Sequence, residues 1–249
     1  LCVRARGSIP LWMPACAGVF TLTLALLWNG LTFYMGDLSA AVLDVGQGQS
    51  VLVRTGDYLA LVDCGGDSMD DPGDIAADYI QSLGRSTLDL LVVSHYHTDH
   101  ANGIPQLLRR IRVEEIALPN VEEDAPLRRE ILSLAEEQGS RVRFVEADQQ
   151  LKLGGGATVT LCAPVMESRD TNELGLTVVA TAGDFDVLVT GDLSGSGEER
   201  LLQRVALPDV ELMVVGHHGS ATSTTQTLLD TVRPELAAIS VGEGNSYGH

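Results

Sequence analysis

Lysine is almost missing from this sequence. Lys152 is the only one, and 16 basic residues face 34 acidic ones, for a formal net charge of −18. Affinity for a polyanion comes mainly from Lys and Arg neutralising phosphates, so the composition argues against a tight, general duplex-binding protein. A nuclease is not excluded, because bound divalent ions can supply positive charge locally. Cysteine pairs are missing as well: Cys2, Cys16, Cys64 and Cys162 form no C-x-x-C. They read as isolated buried thiols, with a Cys64–Cys162 bridge as the alternative for a domain outside the cytoplasm. There is no internal repeat, low-complexity linker or stretch of low hydrophobicity, so the bulk of the chain reads as one folded domain.

Charge is absent between Arg6 and Asp37. The run Leu11–Tyr34 is long enough to cross about 30 Å of hydrocarbon as a helix. Trp12 at one end, and Trp28 with Tyr34 at the other, suit interfacial belts. Arg4 and Arg6 on the N-terminal side place that end in the cytoplasm and everything after Asp37 outside it. A cleaved signal peptide is the competing reading, against which stand the length of the run and the lack of a small-residue cleavage site. Leu1 is not an initiator methionine, so the expectation is a fragment: residues 1–36 as the last span of a multi-pass protein, and 37–249 as its extracytoplasmic domain.

After Asp37, short apolar runs alternate with helical spacing. Leu38–Val45, Ser50–Arg54 and Leu59–Val62 are separated by tight turns and suggest an antiparallel meander. Asp74–Leu83 has helical periodicity and ends at Gly84. Leu88–Val93 is a compact strand, Ile104–Ile111 a helix, Glu114–Leu118 a strand, and Pro126–Gln138 an amphipathic helix closed by Gly139. A second β-rich half follows, with strands over Val142–Ala147, Leu151–Leu153, Ala157–Leu161, Gly175–Ala180, Phe185–Thr190, Glu211–Val215 and Leu236–Val241. Its helices are expected over Glu198–Arg204 and Thr224–Val232. Two stacked sheets with helices on both outer faces suit that order.

The six histidines fall in three places: His95, His97 and His100; His217 and His218; and His249. A single histidine is ordinarily a satisfied structural residue, but H-x-H-x-D-H directly after an apolar strand is not explained that way. Residues two apart in an extended segment point the same way, so His95 and His97 can address one ion. Where the chain turns, Asp99 and His100 can address a second. Mixed imidazole and carboxylate donors suit zinc or manganese, one ion or two. Asp192, after the strand-like run ending at Thr190, can bridge two metals. Of the adjacent pair, His217 is the expected ligand and His218 the group that orients substrate or leaving group. Gly219 and Ser220 would bring backbone N–H groups to an oxyanion. Asp63 is expected to hydrogen-bond the histidine-bearing loop from behind, and Asp44 stands before a glycine turn that is equally well an ordinary hairpin.

These residues resemble the metallo-β-lactamase superfamily and, within it, the C-terminal domain of ComEC-type DNA-internalisation competence proteins. The resemblance rests on Asp44–Ser50, Leu61–Gly65, Ser94–His100, Thr190–Leu193, Gly216–Ser220 and Asn245–His249, and runs from Leu38 to the end. It implies an αββα sandwich preceded by one transmembrane helix, and a metal-dependent hydrolase acting as a nuclease on the DNA strand left outside. His95, His97, Asp99, His100, Asp192, His217 and His249 are then the metal-site candidates, with Asp99 and His218 as the catalytic pair. Single-stranded DNA, the membrane and other DNA-uptake proteins are the implied partners. The sequence departs from the family in three places. Gln49 stands where an acidic residue is usual, which implies a weakened contact behind the metal ligands. Asp170 and Asn172 occupy the region where many members carry a further histidine. The chain also stops at His249, where the family continues. A hydrolase of a small ester, lactone or phosphodiester, or a non-catalytic channel domain, are the other functions compatible with the fold.

Overall fold

A computed structural model of the chain describes residues 12–34, 38–154, 156–164, 168 and 170–249, with side chains omitted over 29–34. The chain divides into two compact units, residues 1–36 and 37–249.

In the first unit, α1 spans Trp12–Tyr34. Its threonines bond back to the helix itself, Thr21 Oγ1 to the carbonyl of Ala17 at 2.8 Å and Thr23 Oγ1 to that of Val19 at 2.9 Å. Among the described residues no helix is long and apolar enough to cross a membrane. Asn29 and Gly30 interrupt the apolar run of α1. The transmembrane helix expected from the absence of charge is therefore not supported, and neither is the location inferred from its flanks. Cys2, Arg4, Arg6 and Asp37 lie outside the described residues.

In the second unit, β1 (Ser39–Val42), β2 (Gln49–Thr55) and β3 (Tyr58–Gly65) form the expected antiparallel meander. After α2 (Pro72–Ser82), β4 (Thr87–Val92) joins β3 in parallel and runs into a short helix α3 (Thr98–Ala101) and α4 (Ile104–Arg110). Then β5 (Arg112–Pro119), α5 (Pro126–Gln138) and β6 (Arg141–Val145) extend the parallel part of the sheet. The second sheet opens with antiparallel β7 (Gln149–Gly154), β8 (Ala157–Cys162), β9 (Thr177–Ala182) and β10 (Phe185–Val189). It continues through α6 (Gly195–Arg204), β11 (Leu212–Val214), α7 (Gln226–Val232) and β12 (Leu236–Ala238), with β10, β11 and β12 parallel.

Strand alternation sorts the side chains into layers. Leu59, Leu61 and Leu91 face outward and pack with Ile80 of α2, Leu107 of α4 and Ile131 of α5. Ala60, Val62, Leu90 and Val92 face inward and meet Val159, Leu161, Val178 and Val189 of the other sheet. On the far side, Leu188 and Met213 pack with Leu228 and Val232 of α7, and Cys162 with Leu193 and Leu201 beneath α6. The result is the expected four-layer order of helix, sheet, sheet, helix. Cys64 and Cys162 are both buried free thiols, so the alternative of a bridge between them is not realised.

Helix ends follow local chemistry. Asp71 caps α2 by accepting from the N–H of Gly73 at 2.8 Å, with Pro72 just inside the helix. Gly139 closes α5 in the left-handed region at φ 73°.

Candidate metal centre

The first half of the centre hangs on one buried carboxylate. Asp63, near the end of β3, has φ 61°, a left-handed conformation that costs about 1–3 kcal/mol for a non-glycine residue. That cost is offset by four hydrogen bonds. Oδ1 accepts from the N–H of Ser94 at 2.6 Å, and Oδ2 accepts from Ser94 Oγ (2.6 Å), Gln49 Nε2 (2.7 Å) and His100 Nδ1 (2.8 Å). The expected role of Asp63 is what the structure shows. The weakened contact expected at Gln49 is not: its amide is a neutral donor to a carboxylate that an acidic residue would repel. The glycines after Asp63 serve the same loop. A Cβ on Gly65 would fall inside the backbone of His100 and Ala101, so only glycine lets α3 lie so close to the end of β3.

This network fixes the imidazoles. His100 Nδ1 faces a carboxylate and so carries the hydrogen, leaving Nε2 directed away from Asp63. Ser94 Oγ donates to Asp63 and therefore accepts from His95 Nδ1 at 3.0 Å. His95 Nε2 is then a bare lone pair, buried and without a hydrogen-bond partner among the described residues. Burial, and next the charge of His100, hold the pKa of His95 well below its ordinary value, which keeps that lone pair free.

The second half arrives on separate loops. Asp192 follows β10. Gly216–Gly219 forms a tight turn after β11, in which His217 (φ 51°, ψ 44°) and His218 (φ 54°, ψ 26°) are both left-handed. That double inversion sends the two rings different ways. His218 is buried, and its Nδ1 lies 3.0 Å from the carbonyl of Ser240; a carbonyl only accepts, so Nε2 is the free atom. It lies 3.2 Å from His100 Nε2, 3.4 Å from Asp99 Oδ2 and 3.8 Å from Asp192 Oδ1, while His100 Nε2 is 2.9 Å from Asp192 Oδ1. His217, expected as the ligand of the pair, reaches only to 3.7 Å from Asp192 Oδ2, at the rim. Its carbonyl accepts from the N–H of Ser220 at 2.9 Å, so that N–H is not free for the oxyanion expected there.

Buried Glu198, in the first turn of α6, clamps this turn from below. It accepts from the N–H groups of Thr224 (2.5 Å) and Thr225 (2.8 Å), while Thr224 Oγ1 accepts from the N–H of Gly216 at 3.1 Å.

Two groups of donors converge. Asp99, His100, Asp192 and His218 form one, and His95, His97 and Asp99 the other, each with its atoms within 4.8 Å of one another. In the first group, lone pairs face lone pairs, which is tenable only with a proton or a cation among them. Without an ion, burial disfavours charge on His100, but Asp192 and then Asp63 outweigh it and hold its pKa well above normal. Burial likewise pushes Asp99 up, yet the bond from His218 and the charge of His100 prevail and bring it down to about 2. Asp192 is pulled well below the carboxylate range in the same way. A divalent cation satisfies all these atoms at once, so the residues fit one. His97 Nε2 meets the Thr171 hydroxyl at 2.9 Å, a contact the sequence did not announce. Asp44 is exposed and, among the described residues, accepts from its own turn at Gly46, 3.4 Å away. That is the ordinary hairpin reading.

The groups open into a cleft of about 210 Å³ lined by His97, Asp99, Asp192, His217, His218 and His249. Gln47, Asn172 and Tyr247 complete its wall, and no lysine or arginine is among the described residues lining it. All the chain's histidines thus gather at one place.

The superfamily model for metallo-beta-lactamases matches residues 43–243. The chain belongs to the metallo-beta-lactamase superfamily. Within it, the chain is similar to ComE operon protein 3 of Bacillus subtilis, 25% identical over 84% of this chain and 29% of that protein. It is also similar to Competence protein ComA of Neisseria gonorrhoeae, 31% identical over 86% of this chain and 28% of that protein. The resemblance to ComEC-type competence proteins is borne out, and the chain spans less than a third of the length of these relatives. In structure it is similar to YhfI, a metallo-beta-lactamase fold protein from Bacillus subtilis, with TM-score 0.58 and 16% identity, covering 84% of this chain and 89% of that one. That likeness establishes the superfamily's fold.

Proposed function

We propose that this chain is the metal-dependent hydrolase part of a DNA-uptake protein, cleaving phosphodiesters of the strand that is not taken in. The observation that carries the reading is the pair of donor groups sharing Asp99, with His95 Nε2 buried and unpartnered beside them. The similarity to competence proteins supplies the substrate class.

In this reading His95, His97 and Asp99 would hold one zinc or manganese ion, and Asp99, His100, Asp192 and His218 the other. His217 and His249 stand at the entrance. A divalent ion bound there supplies Lewis acidity toward a phosphoryl oxygen and lowers the pKa of attacking water. The chain's own residues do the positioning. Asp63 and the Ser240 carbonyl fix the tautomers of His100 and His218. Asp99, ionised at neutral pH and one-third exposed, is placed to take a proton on the cleft side. Tyr247, whose ring lies 5.6 Å from that of His249 in a stacked arrangement, offers an aromatic face to a base.

One observation favours a second reading. The cleft is small and its described lining lacks Lys and Arg, which suits a small phosphodiester or ester as well as a polymer. The test is cleavage of labelled single- and double-stranded DNA, beside a chromogenic phosphodiester, with manganese, zinc or magnesium. The control is His95→Ala/Asp99→Ala. Metal-dependent DNA cleavage lost in the control is the expected result. Turnover of the small diester alone moves the assignment to the second reading, and no turnover from ion-loaded protein moves it to a non-catalytic domain.

A further inference from the structure

The segment that brings Thr171 to the centre brings an unsatisfied oxygen with it. The 3-10 turn Thr171–Leu174 is laid against the end of β4, where the N–H of Leu176 donates to the carbonyl of Ser94 at 2.9 Å. A Cβ on Gly175 would lie 3.9 Å from that of His95. The turn is held from both sides. Asp170 caps it through the N–H of Asn172 at 3.1 Å, and buried Glu173 accepts from the N–H and the hydroxyl of Ser194 at the start of α6. Between these anchors Asn172 lines the metal cleft, and its Oδ1 is shielded from solvent with no hydrogen-bond partner among the described residues.

A shielded amide oxygen without a donor costs on the order of 1–3 kcal/mol, and a firmly anchored turn has no evident reason to keep one. His95 Nε2 is orphaned in the same way. An ion taken up by His95 and His97 would relieve both. No histidine lies between His100 and Asp192 to complete that group.

We infer that Asn172 supplies a neutral amide-oxygen ligand to the ion held by His95 and His97, and that this oxygen biases the position toward manganese over zinc. The inference rests on the metal-centre reading above. Its chemistry is that of the donors: imidazole suits zinc, whereas carbonyl and carboxylate oxygens suit manganese and magnesium. Two imidazoles with two oxygens, Asp99 and Asn172, are harder than a three-imidazole set.

The test is ion binding, read without turnover. Manganese is titrated into the full chain by electron paramagnetic resonance, and zinc by competition with a chromophoric chelator. Asn172→Ala should weaken one manganese equivalent by about tenfold or more and zinc by less. Asn172→His should reverse the preference, tightening zinc and weakening manganese. Asn172→Asp keeps an oxygen in place and should retain manganese, which separates lost ligation from a misfolded turn. Unchanged titrations in both Asn172→Ala and Asn172→His, with the unaltered chain binding both ions, would overturn the inference alone. An unaltered chain that binds neither ion removes the metal centre beneath it.

Discussion

The two halves of the domain deliver their share of the centre by the same device at different reach. In each, a buried carboxylate is the keystone: Asp63 under the His95–His100 loop and Glu198 under the Gly216–Gly219 turn. Asp63, however, bonds directly to the histidines' own network, through Ser94 and His100 Nδ1. Glu198 acts at one remove, holding Thr224 and Thr225, and only through Thr224 the backbone entering the turn. The first half therefore sets tautomer and ring orientation together. The second sets where the turn sits and leaves the ring of His218 to the Ser240 carbonyl. Direct and indirect support should fail differently.

The largest expected effect is at the direct keystone. Asp63→Ala strips partners from the buried Ser94 N–H, Gln49 amide and His100 Nδ1, and should cost about 3 kcal/mol or more by urea unfolding, with loss of ion binding at both donor groups. A cost under about 1 kcal/mol would mean that the network is incidental. Glu198→Gln is the milder counterpart. It keeps the shape but replaces a charged acceptor of two N–H groups, so about 1–2 kcal/mol is expected. The ion at Asp99, His100, Asp192 and His218 should weaken roughly 10- to 100-fold while the ion at His95 and His97 is retained. Equal weakening of both ions by Glu198→Gln would erase the distinction between the halves.

The same contrast explains what the sequence disclosed. The first half was legible because His95, His97, Asp99 and His100 lie on one turn of chain after one apolar strand, where backbone geometry alone dictates convergence. The layered order of sheets and helices was legible for a similar reason, since alternation in runs such as Leu59–Val62 assigns each side chain to a layer. The second half is assembled by packing across long separations: Thr171 meets His97 across 74 positions of chain. Glu198 looks like a helix-surface acid until the fold buries it. The different directions of the His217 and His218 rings turn on two consecutive left-handed residues, which no propensity announces. The apolar run before Asp37 is the opposite case: absence of charge was read as a membrane span, and among the described residues no helix is long and apolar enough to be one.

The smallest effect would sharpen the comparison without touching the centre. Each half carries one buried thiol, Cys64 in the large layer beneath α2 and Cys162 in the small cluster beneath α6. Burial raises both pKa values, that of Cys162 to about 11 and that of Cys64 further. In a group raised by folding, the neutral form is the one the fold prefers. Its contribution is complete below the unfolded thiol value of about 8.5 and erodes as pH rises from there toward the folded value. Native protein at pH 8 should therefore label with iodoacetamide only at exposed Cys16, among the described cysteines. In urea below the main transition, Cys162 should label before Cys64, because fewer buried side chains must part to expose it. Simultaneous labelling would show that the halves open as one unit. The indirect clamp at Glu198 would then be as global in its reach as the direct one at Asp63.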